Sequence, residues 1–226
     1  MQHDGHRDRM RQKFITDGLD SFNPHEVLEL LLFYAIPRRN TNDIAHRLMD
    51  TFGSLSAVFD ASKESLCRVE GVGESAATLI KMIPQLSRRY MDDKYNTPAT
   101  LMDSESVGDM LLKKYIGRNF ETVYLVLADS KRKLLFCGIV SEGSVNASEI
   151  YVRKIVEYAI RYSASYAILA HNHPSGVALP SRDDLTTTAQ VRDALALINV
   201  QLIDHLIIAD NDYVSLAQSG IGDTLF

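Results

Sequence analysis

Two histidines, placed two positions apart at the end of an apolar run, restrict the fold of this 226-residue chain more than any other feature. The run is Tyr166–Ala170, and His171-Asn172-His173-Pro174 follows it. Residues i and i+2 of a β-strand lie on the same side, whereas on an α-helix they diverge by roughly 200°. Only a strand would bring both imidazoles into one pocket. The segment therefore predicts a strand that Pro174 ends.

A carboxylate follows at the start of a predicted helix. Ser181-Arg182-Asp183-Asp184 has an N-cap serine and an acidic residue three positions later, so a capping box alone could explain Asp184. The same helix start would fix the direction of its carboxylate and keep it ionised beside the positive helix end. A lone histidine at a strand end is more often a satisfied polar residue. Two imidazoles with a carboxylate, however, are the ligand set of a catalytic zinc that keeps its fourth position for water. We therefore expect His171, His173 and Asp184 to bind a metal ion.

The apolar pattern changes along the chain and predicts two domains. Residues 1–91 show helical periods without period-two alternation, which indicates an all-α domain. Residues 92–103 are polar and contain Pro98, which is typical of a linker. In residues 104–226, short β-branched and apolar runs interleave with amphipathic segments, and the run Thr122–Leu127 turns back as a hairpin. This pattern predicts an α/β domain with a mixed β-sheet flanked by helices.

The first domain contains a glycine hairpin between two short predicted helices. Gly71-Val72-Gly73 resembles the turn of a helix-hairpin-helix, in which backbone N–H groups point at a phosphate. A Gly-capped turn between packed helices and a protein contact are the alternatives. Glu70 and Glu74 flank the turn, and the charges of residues 1–95 nearly balance. Any DNA contact should therefore be weak and independent of sequence.

Composition excludes several classes of protein. A net charge of -5 and a pI near 5.8 argue against binding nucleic acid by bulk electrostatics. Cys67 and Cys137 are the two cysteines, and they form neither a disulfide framework nor a thiolate zinc site. No apolar run reaches membrane-spanning length, and the polar start is unlike a signal peptide. The HExxH helix and the zinc-deaminase motif are absent. We expect a cytoplasmic protein that has no membrane partner.

The residues around the histidines resemble a known family. His171-x-His173-Pro174 and, after six residues, Ser181-x-x-Asp184 are similar to the JAB/MPN (JAMM) metalloprotease signature. The fuller wording resembles the bacterial RadC branch: His171-Asn172-His173-Pro174-Ser175-Gly176, Thr186-Thr187-Thr188, and Asp204-His205-Leu206-Ile207. Gly5-His6-Arg7 and the Gly71-Val72-Gly73 hairpin resemble the leading helical domain of that branch. The resemblance covers nearly the whole chain.

The resemblance implies a layered, cytidine-deaminase-like α/β fold and a zinc-dependent peptidase or isopeptidase. His171, His173 and Asp184 would bind Zn²⁺, and Ser181 would hold the attacking water or the developing oxyanion. Glu121, which opens the first strand, fits the place of the catalytic glutamate. Glu142 is the second candidate, and either glutamate could instead be a solvated turn charge.

Three further expectations follow from the resemblance and the motifs. Asp204-His205 would either orient a metal ligand or form a pair in the core. The substrate would be a peptide or protein that the sequence does not specify, and the bacterial protein could form a homo-oligomer, although the sequence does not give its oligomeric state. The alternative function is a DNA-associated accessory or scaffold protein, linked to DNA repair or recombination, whose metal domain is a binding module.

Overall fold

Helices alone form the described part of the N-terminal third, as the all-α prediction requires. The computed structural model describes residues 4–95, 103–143, 148–174, 176–210, 212–221 and 225–226. The helices of the first part are α1 (Asp4–Asp17), α2 (Pro24–Leu32), α3 (Asn42–Phe52), α4 (Leu55–Asp60), α5 (Lys63–Cys67) and α6 (Glu74–Tyr95).

Local hydrogen bonds set where these helices begin. Asn23 is the extended N-cap of α2, and the Glu26 carboxylate accepts a hydrogen bond from its backbone N–H at 2.8 Å. Thr41 stands at the N-cap of α3 without a side-chain cap bond, and its hydroxyl oxygen is buried without a partner among the described residues. The Asn40 side chain accepts the hydrogen bond from the N–H of Asn42 at 3.0 Å instead.

The chain divides into two units, Met1–Ser87 and Arg88–Phe226, and the division falls within α6. The first unit has its own core of fully buried aliphatic side chains, each of which stabilises the fold by roughly 1.5–3 kcal/mol. These are Leu28, Leu32, Ile44, Leu48, Leu66 and Ile80. The predicted bounds of the domains stay a prediction. α6 continues into the predicted linker as far as Tyr95, and residues 96–102 of that linker lie outside the described residues.

Besides the end of α6, the second unit contains a five-stranded mixed sheet and three helices among its described residues. They are α7 (Ser104–Tyr115), β1 (Thr122–Ala128), β2 (Leu134–Glu142), α8 (Ser148–Arg161), β3 (Tyr166–Asn172), α9 (Arg182–Ala196), β4 (Gln201–Ala209) and β5 (Asp212–Ser215). The strand order is β2-β1-β3-β4-β5. β3 and β4 are parallel, and the other neighbouring pairs are antiparallel. The α/β prediction with a mixed sheet is confirmed.

Alternation along the strands separates two cores, one on each face of the sheet. On one face, Val123, Leu125 and Leu169 pack with residues of α8 and α9 such as Ile155 and Val191. On the other face, side chains of the alternate strand positions pack against α7: Tyr124, Val126, Ile168 and Ala170 with Val107 and Leu111. His171 continues the odd-numbered series of β3, so its side chain belongs to the face covered by α8 and α9.

The strand prediction for the histidine segment is confirmed as far as Asn172. His173 follows the strand, but its N–H still donates to the carbonyl of Ile208 at 2.8 Å. The extended pairing with β4 therefore continues to the second histidine. Among the described residues, none of the helices has both the length and the apolar character needed to cross a membrane.

Candidate metal centre

Three side chains meet where β3 ends and α9 begins. His171 is the next-to-last residue of β3, His173 lies just beyond the strand, and Asp184 lies in the first turn of α9. One potential ligand atom from each side chain lies within 4.8 Å of the others. The structure therefore brings together the three residues that the sequence predicted as metal ligands.

The spacing of the facing atoms suits a small tetrahedral ion. The two Nε2 atoms of His171 and His173 are 2.9 Å apart. The carboxylate oxygens of Asp184 lie 3.2 Å from Nε2 of His171 and 3.5 Å from Nε2 of His173. Ligands that sit about 2.0–2.1 Å from a tetrahedral zinc are separated from one another by about 3.3 Å. The donor types and their separations therefore fit zinc.

A backbone carbonyl fixes the orientation of His173. Its Nδ1 lies 3.0 Å from the carbonyl oxygen of Val177. A carbonyl only accepts hydrogen bonds, so Nδ1 of His173 must carry the hydrogen. In the neutral ring, Nε2 then presents its lone pair towards Asp184 and His171. This is the form in which an imidazole binds a metal.

The capping box and the ligand role of Asp184 are compatible. The N–H of Ser181 donates to Oδ2 of Asp184 at 2.7 Å, and the N–H of Asp184 donates to Oγ of Ser181 at 3.1 Å. Oδ1 is thereby directed at His171. Burial alone would raise the pKa of the Asp184 carboxyl, but the hydrogen bond and charge that His171 offers when its Nε2 carries a proton, with the bonds from Ser181, lower this pKa well below its ordinary value. The carboxylate is therefore ionised and ready to bind a cation.

His205, on β4, adjoins the candidate metal ligands. Its Nε2 is 2.8 Å from Nδ1 of His171, and its Nδ1 is 2.6 Å from the hydroxyl oxygen of Thr188. Burial lowers the pKa of His205 well below its ordinary value, and the charge of His171 adds to that effect. The sequence indicated a role for His205, whereas Thr188 entered only within the Thr186-Thr187-Thr188 wording and without a role at the site. Thr188 lies four positions after Asp184 and therefore on the same face of α9, but this spacing alone does not indicate a contact with His205.

Asp204 has a different role from its neighbour. Its carboxylate is fully buried and accepts hydrogen bonds from the hydroxyl of Ser215 at 2.6 Å and from the N–H groups of His205 and Ala217 at 2.7 and 3.1 Å. These bonds tie β4 to the chain around the end of β5. The contacts of Asp204 are those of a structural pair in the core, whereas His205 contacts a candidate ligand and its role in orienting that ligand stays a prediction.

The two candidate glutamates belong to opposite faces of the sheet. Glu121 precedes β1, and its carbonyl accepts from the N–H of Gly143 at 2.9 Å, so the β1 pairing extends to it. By alternation its side chain shares the face of Val123, which is paired with His171. Glu142 instead pairs in register with Thr122, on the α7 face.

An ion pair accounts for Glu142. Its carboxylate lies 2.9 Å from Nη1 of Arg118, whose Nη2 donates to the hydroxyl of Tyr124 at 3.1 Å. Tyr124 belongs to the core on the α7 side. The geometry therefore favours Glu121 over Glu142 beside the histidines, and the role of Glu121 stays a prediction.

Asn172, between the two histidines, ties the metal strand to the segment that carries Glu121. Its Oδ1 accepts from the N–H of Thr122 at 2.8 Å, and its Nδ2 donates to the carbonyls of Phe120 and Arg118 at 3.2 and 3.5 Å. Asn172 is 6% exposed. These hydrogen bonds need both an acceptor and a donor, and they explain why the residue between the histidines has an amide side chain.

The predicted hairpin for DNA phosphate has a packing role in the first unit. Gly71 has a φ of +93°, and a Cβ there would lie 2.9 Å from the Ile44 side chain, so glycine is required by both conformation and space. Val72 is buried in the same core. Lys63 forms an ion pair with Glu74 at the start of α6. The contact of Gly71, Val72 and Gly73 with DNA stays a prediction.

Comparison with known proteins identifies the family of this chain. Residues 101–221 match the RadC-like JAB domain, and residues 2–78 match the UPF0758 N-terminal family. A UPF0758 protein of Fusobacterium nucleatum is 37% identical over 96% of this chain and 97% of its own length. UPF0758 proteins of Vibrio cholerae and Paraburkholderia xenovorans are each 33% identical, over 93% and 94% of this chain and 94% and 84% of their own lengths. The chain therefore belongs to the family of proteins that combine a RadC-like JAB domain with a UPF0758 N-terminal domain.

Proposed function

We propose that this protein is a zinc-dependent hydrolase of peptide or isopeptide bonds. The observation that carries the proposal is the convergence of His171, His173 and Asp184 at the separations of a tetrahedral site. The site also has access to solvent, since the side chains of His173 and Asp184 are 20% and 15% exposed. A hydrolytic zinc site needs three protein ligands and one position that water and substrate can reach.

The choice of zinc follows from the donor set. Two imidazole nitrogens and one carboxylate oxygen suit zinc, whereas magnesium and calcium prefer sites made of oxygen alone. When bound, zinc would supply Lewis acidity, which activates a water molecule near neutral pH and polarises the scissile carbonyl group.

The chain itself would hold the ligands and move the proton. Ser181 fixes one carboxylate oxygen of Asp184 through its N–H, which leaves the other oxygen for the ion. Glu121 would take the proton from the attacking water and pass it to the leaving amine, because a carboxylate can act as base and then as acid in the two steps. The hydroxyl of Ser181 would stabilise the developing oxyanion.

The first experiment measures metal uptake. Purified wild type and the Asp184→Ala variant are stripped of metal, equilibrated with zinc and analysed for bound metal. We expect about one zinc per chain in the wild type and a strong loss in the variant. A wild type that takes up no zinc would overturn the proposal.

The second experiment tests hydrolysis. Zinc-loaded wild type is incubated with a mixture of peptides and with a lysine isopeptide, and mass spectrometry detects new amino termini. Glu121→Gln should lower the rate by at least about 100-fold without loss of zinc, since proton transfer typically contributes that much. Glu142→Gln is the matched control, because it removes the same charge from the opposite face, and it should cleave as the wild type does. Equal losses in both variants would exclude Glu121 as the base.

A further inference from the structure

His205 is held between a metal ligand and a threonine inside the second unit. The whole residue is 2% exposed, and β4 carries it beside Leu169 of β3, with which it is in register. Both ring nitrogens have a polar neighbour, Nδ1 of His171 and Oγ1 of Thr188. Among the described residues no carboxylate contacts either ring nitrogen, so no partner compensates a charge on this enclosed imidazole, and the neutral ring is the one considered. One ring nitrogen then carries the hydrogen and the other accepts.

Thr188 determines which nitrogen of His205 carries that hydrogen. The hydroxyl oxygen of Thr188 lies 2.6 Å from the carbonyl oxygen of Asp184, which can only accept. The single hydroxyl hydrogen must therefore point at Asp184. At its other contact, also 2.6 Å, the hydroxyl oxygen can only accept, so Nδ1 of His205 is the donor.

The direction of the remaining bonds follows. With its hydrogen on Nδ1, His205 presents a lone pair on Nε2, and this lone pair accepts from Nδ1 of His171 at 2.8 Å. His171 is then protonated on Nδ1, and its Nε2 has a free lone pair. That atom is the one that faces His173 and Asp184.

We propose that His205 and Thr188 are positioning residues that fix the tautomer of His171 and so prepare its Nε2 for the metal. The hydrogen bonds run from His171 through His205 and Thr188 to the backbone carbonyl of Asp184. They therefore connect the ligand on β3 to the start of the helix that carries the third ligand. This inference rests on the metal-binding part of the proposed function and is independent of hydrolysis.

The choice of a neutral imidazole as partner has an electrostatic consequence. Metal-binding histidines often donate to a carboxylate, which adds negative charge behind the ligand. His205 fixes the ring of His171 without adding charge. A zinc ion bound by the two histidines and Asp184 would keep a net positive charge, which favours activation of water.

Thr188→Val is the central test, because valine keeps the shape of threonine and removes its hydroxyl. Nitrogen-15 NMR of the metal-free protein at pH 8 reports the tautomer of His171, and competition with a chelator reports zinc affinity. In the wild type we expect the hydrogen on Nδ1 of His171. In Thr188→Val we expect a mixture of tautomers and a zinc affinity about 10-fold weaker, and in His205→Ala a loss towards 100-fold, the range known for partners of metal ligands.

Thr186→Val is the matched control. Thr186 also donates to the carbonyl four positions before it, that of Arg182 at 2.9 Å, but it contacts no histidine among the described residues. The Thr186→Val variant should therefore bind zinc as the wild type does. Thr188→Ser keeps the hydroxyl, so it should have the wild-type tautomer of His171 and the wild-type zinc affinity. The Co²⁺ absorption spectrum should shift in Thr188→Val and stay unchanged in Thr186→Val.

Each failure has its own meaning. If Thr188→Val keeps the wild-type tautomer and zinc affinity, the positioning role is overturned. If the wild type binds zinc and does not cleave peptides, the proposed hydrolysis fails and this inference stands. Should His205→Ala fail to fold, Thr188→Val alone decides the question. If the wild type takes up no zinc, both the proposed function and the positioning role are overturned, even with the expected tautomer.

Discussion

Each unit contains a cluster of polar side chains that is partly buried, and the two clusters differ in how their atoms are matched. The first, called here the Arg7 cluster, consists of His6, Arg7, Glu29 and Asn42. The second, the metal cluster, consists of His171, His173 and Asp184. Both contain histidine and a carboxylate, so composition alone does not separate them.

In the Arg7 cluster every acceptor faces a donor. The guanidinium of Arg7 donates to four backbone carbonyls after α2, at 2.7 to 3.5 Å: those of Phe33, Ile36, Pro37 and Arg39. The carboxylate of Glu29 has Nδ2 of Asn42 at 2.7 Å and Nε2 of His6 at 2.9 Å. Matched groups of this kind stabilise a fold and leave nothing to bind.

In the metal cluster the facing atoms are acceptors. Nδ1 of His173 is committed to a carbonyl and Nδ1 of His171 to His205, so both Nε2 atoms direct lone pairs at the carboxylate of Asp184. Such an arrangement is repulsive until a cation or a proton enters it. The comparison teaches that the matching of donors and acceptors, rather than burial or composition, distinguishes a binding site from a structural cluster.

The largest expected effect is on metal affinity. His173→Ala should weaken zinc binding by more than about 100-fold, because loss of a ligand exceeds the loss of a ligand's partner. The free energy of unfolding of the metal-free protein should change by less than about 1 kcal/mol, since the side chain is partly exposed and its neighbours repel it. Chelator competition and urea unfolding measure the two quantities. A loss of several kcal/mol without metal would show that the cluster is structural.

The reverse outcome is expected for the Arg7 cluster. Arg7→Leu should lower the stability of α2 by about 3 kcal/mol, because it leaves four carbonyls, one buried and three partly buried, without their donor. Zinc affinity should not change. Native-state hydrogen exchange of the α2 amides measures this stability directly.

Arg11→Leu provides the matched control. Its ion pair with Asp8 is exposed, with side-chain exposures of 42% and 74%, so its loss should cost less than about 1 kcal/mol. Equal effects of the two substitutions would mean that the four carbonyl bonds of Arg7 contribute nothing beyond an exposed charge.

The metal cluster and the sheet could be predicted from sequence because both rest on short-range patterns. The i, i+2 spacing of His171 and His173 has meaning only on a strand, and the spacing of Ser181 and Asp184 only at a helix start. The alternation of side chains between the two faces of the sheet in β1 and β3 likewise follows from local strand geometry, in which adjacent residues point to opposite sides. In each case a few neighbouring residues are enough to predict the local structure that is observed.

What could not be predicted depends on pairing between distant segments. The contact of Arg7 with carbonyls around residues 33–39 joins α1 to the turn after α2, and no local pattern indicates it. Likewise, Glu121 and Glu142 are distinguished only by the register of β1 with β2 and β3. Thr188 becomes informative only once β4 places His205 beside α9.

Asn172 allows the comparison to be tested within the second unit. It is adjacent in sequence to both histidines, yet its amide is matched to the N–H of Thr122 and to two carbonyls. Asn172→Ala should therefore behave like a change in the Arg7 cluster. We expect a loss of about 2 kcal/mol, the cost of a buried N–H without an acceptor, and zinc affinity within about 3-fold of the wild type. Hydrogen exchange of β1 and chelator competition measure these effects. A large loss of zinc affinity with unchanged stability would contradict the distinction between matched structural groups and the metal cluster.

Cys137 shows what burial does to a titratable group that is not a binding site. Burial raises the pKa of its thiol to about 11, and the nearby charge of Lys114 offsets this only in part. The thiol lies in β2, beside the core on the α7 side. Burial alone therefore keeps this group neutral, whereas the partners of Asp184 keep that carboxylate charged. The raised pKa of Cys137 favours its neutral form, whereas the lowered pKa of Asp184 favours its charged form.

Alkylation of Cys137 can be followed in a Cys67→Ala variant, which has this single thiol. Because the thiolate reacts, the rate in the folded protein should rise about 10-fold per pH unit from pH 8 to 10 and remain far below that in urea. Since the folded pKa is above the unfolded one, the unfolded state releases the proton first, and stability should fall as the pH rises above about 9 towards the folded value. A labelling rate that levels off near pH 9 would show that Cys137 is exposed to water. Burial would then no longer explain why the pKa of Cys137 is raised while that of Asp184 is lowered.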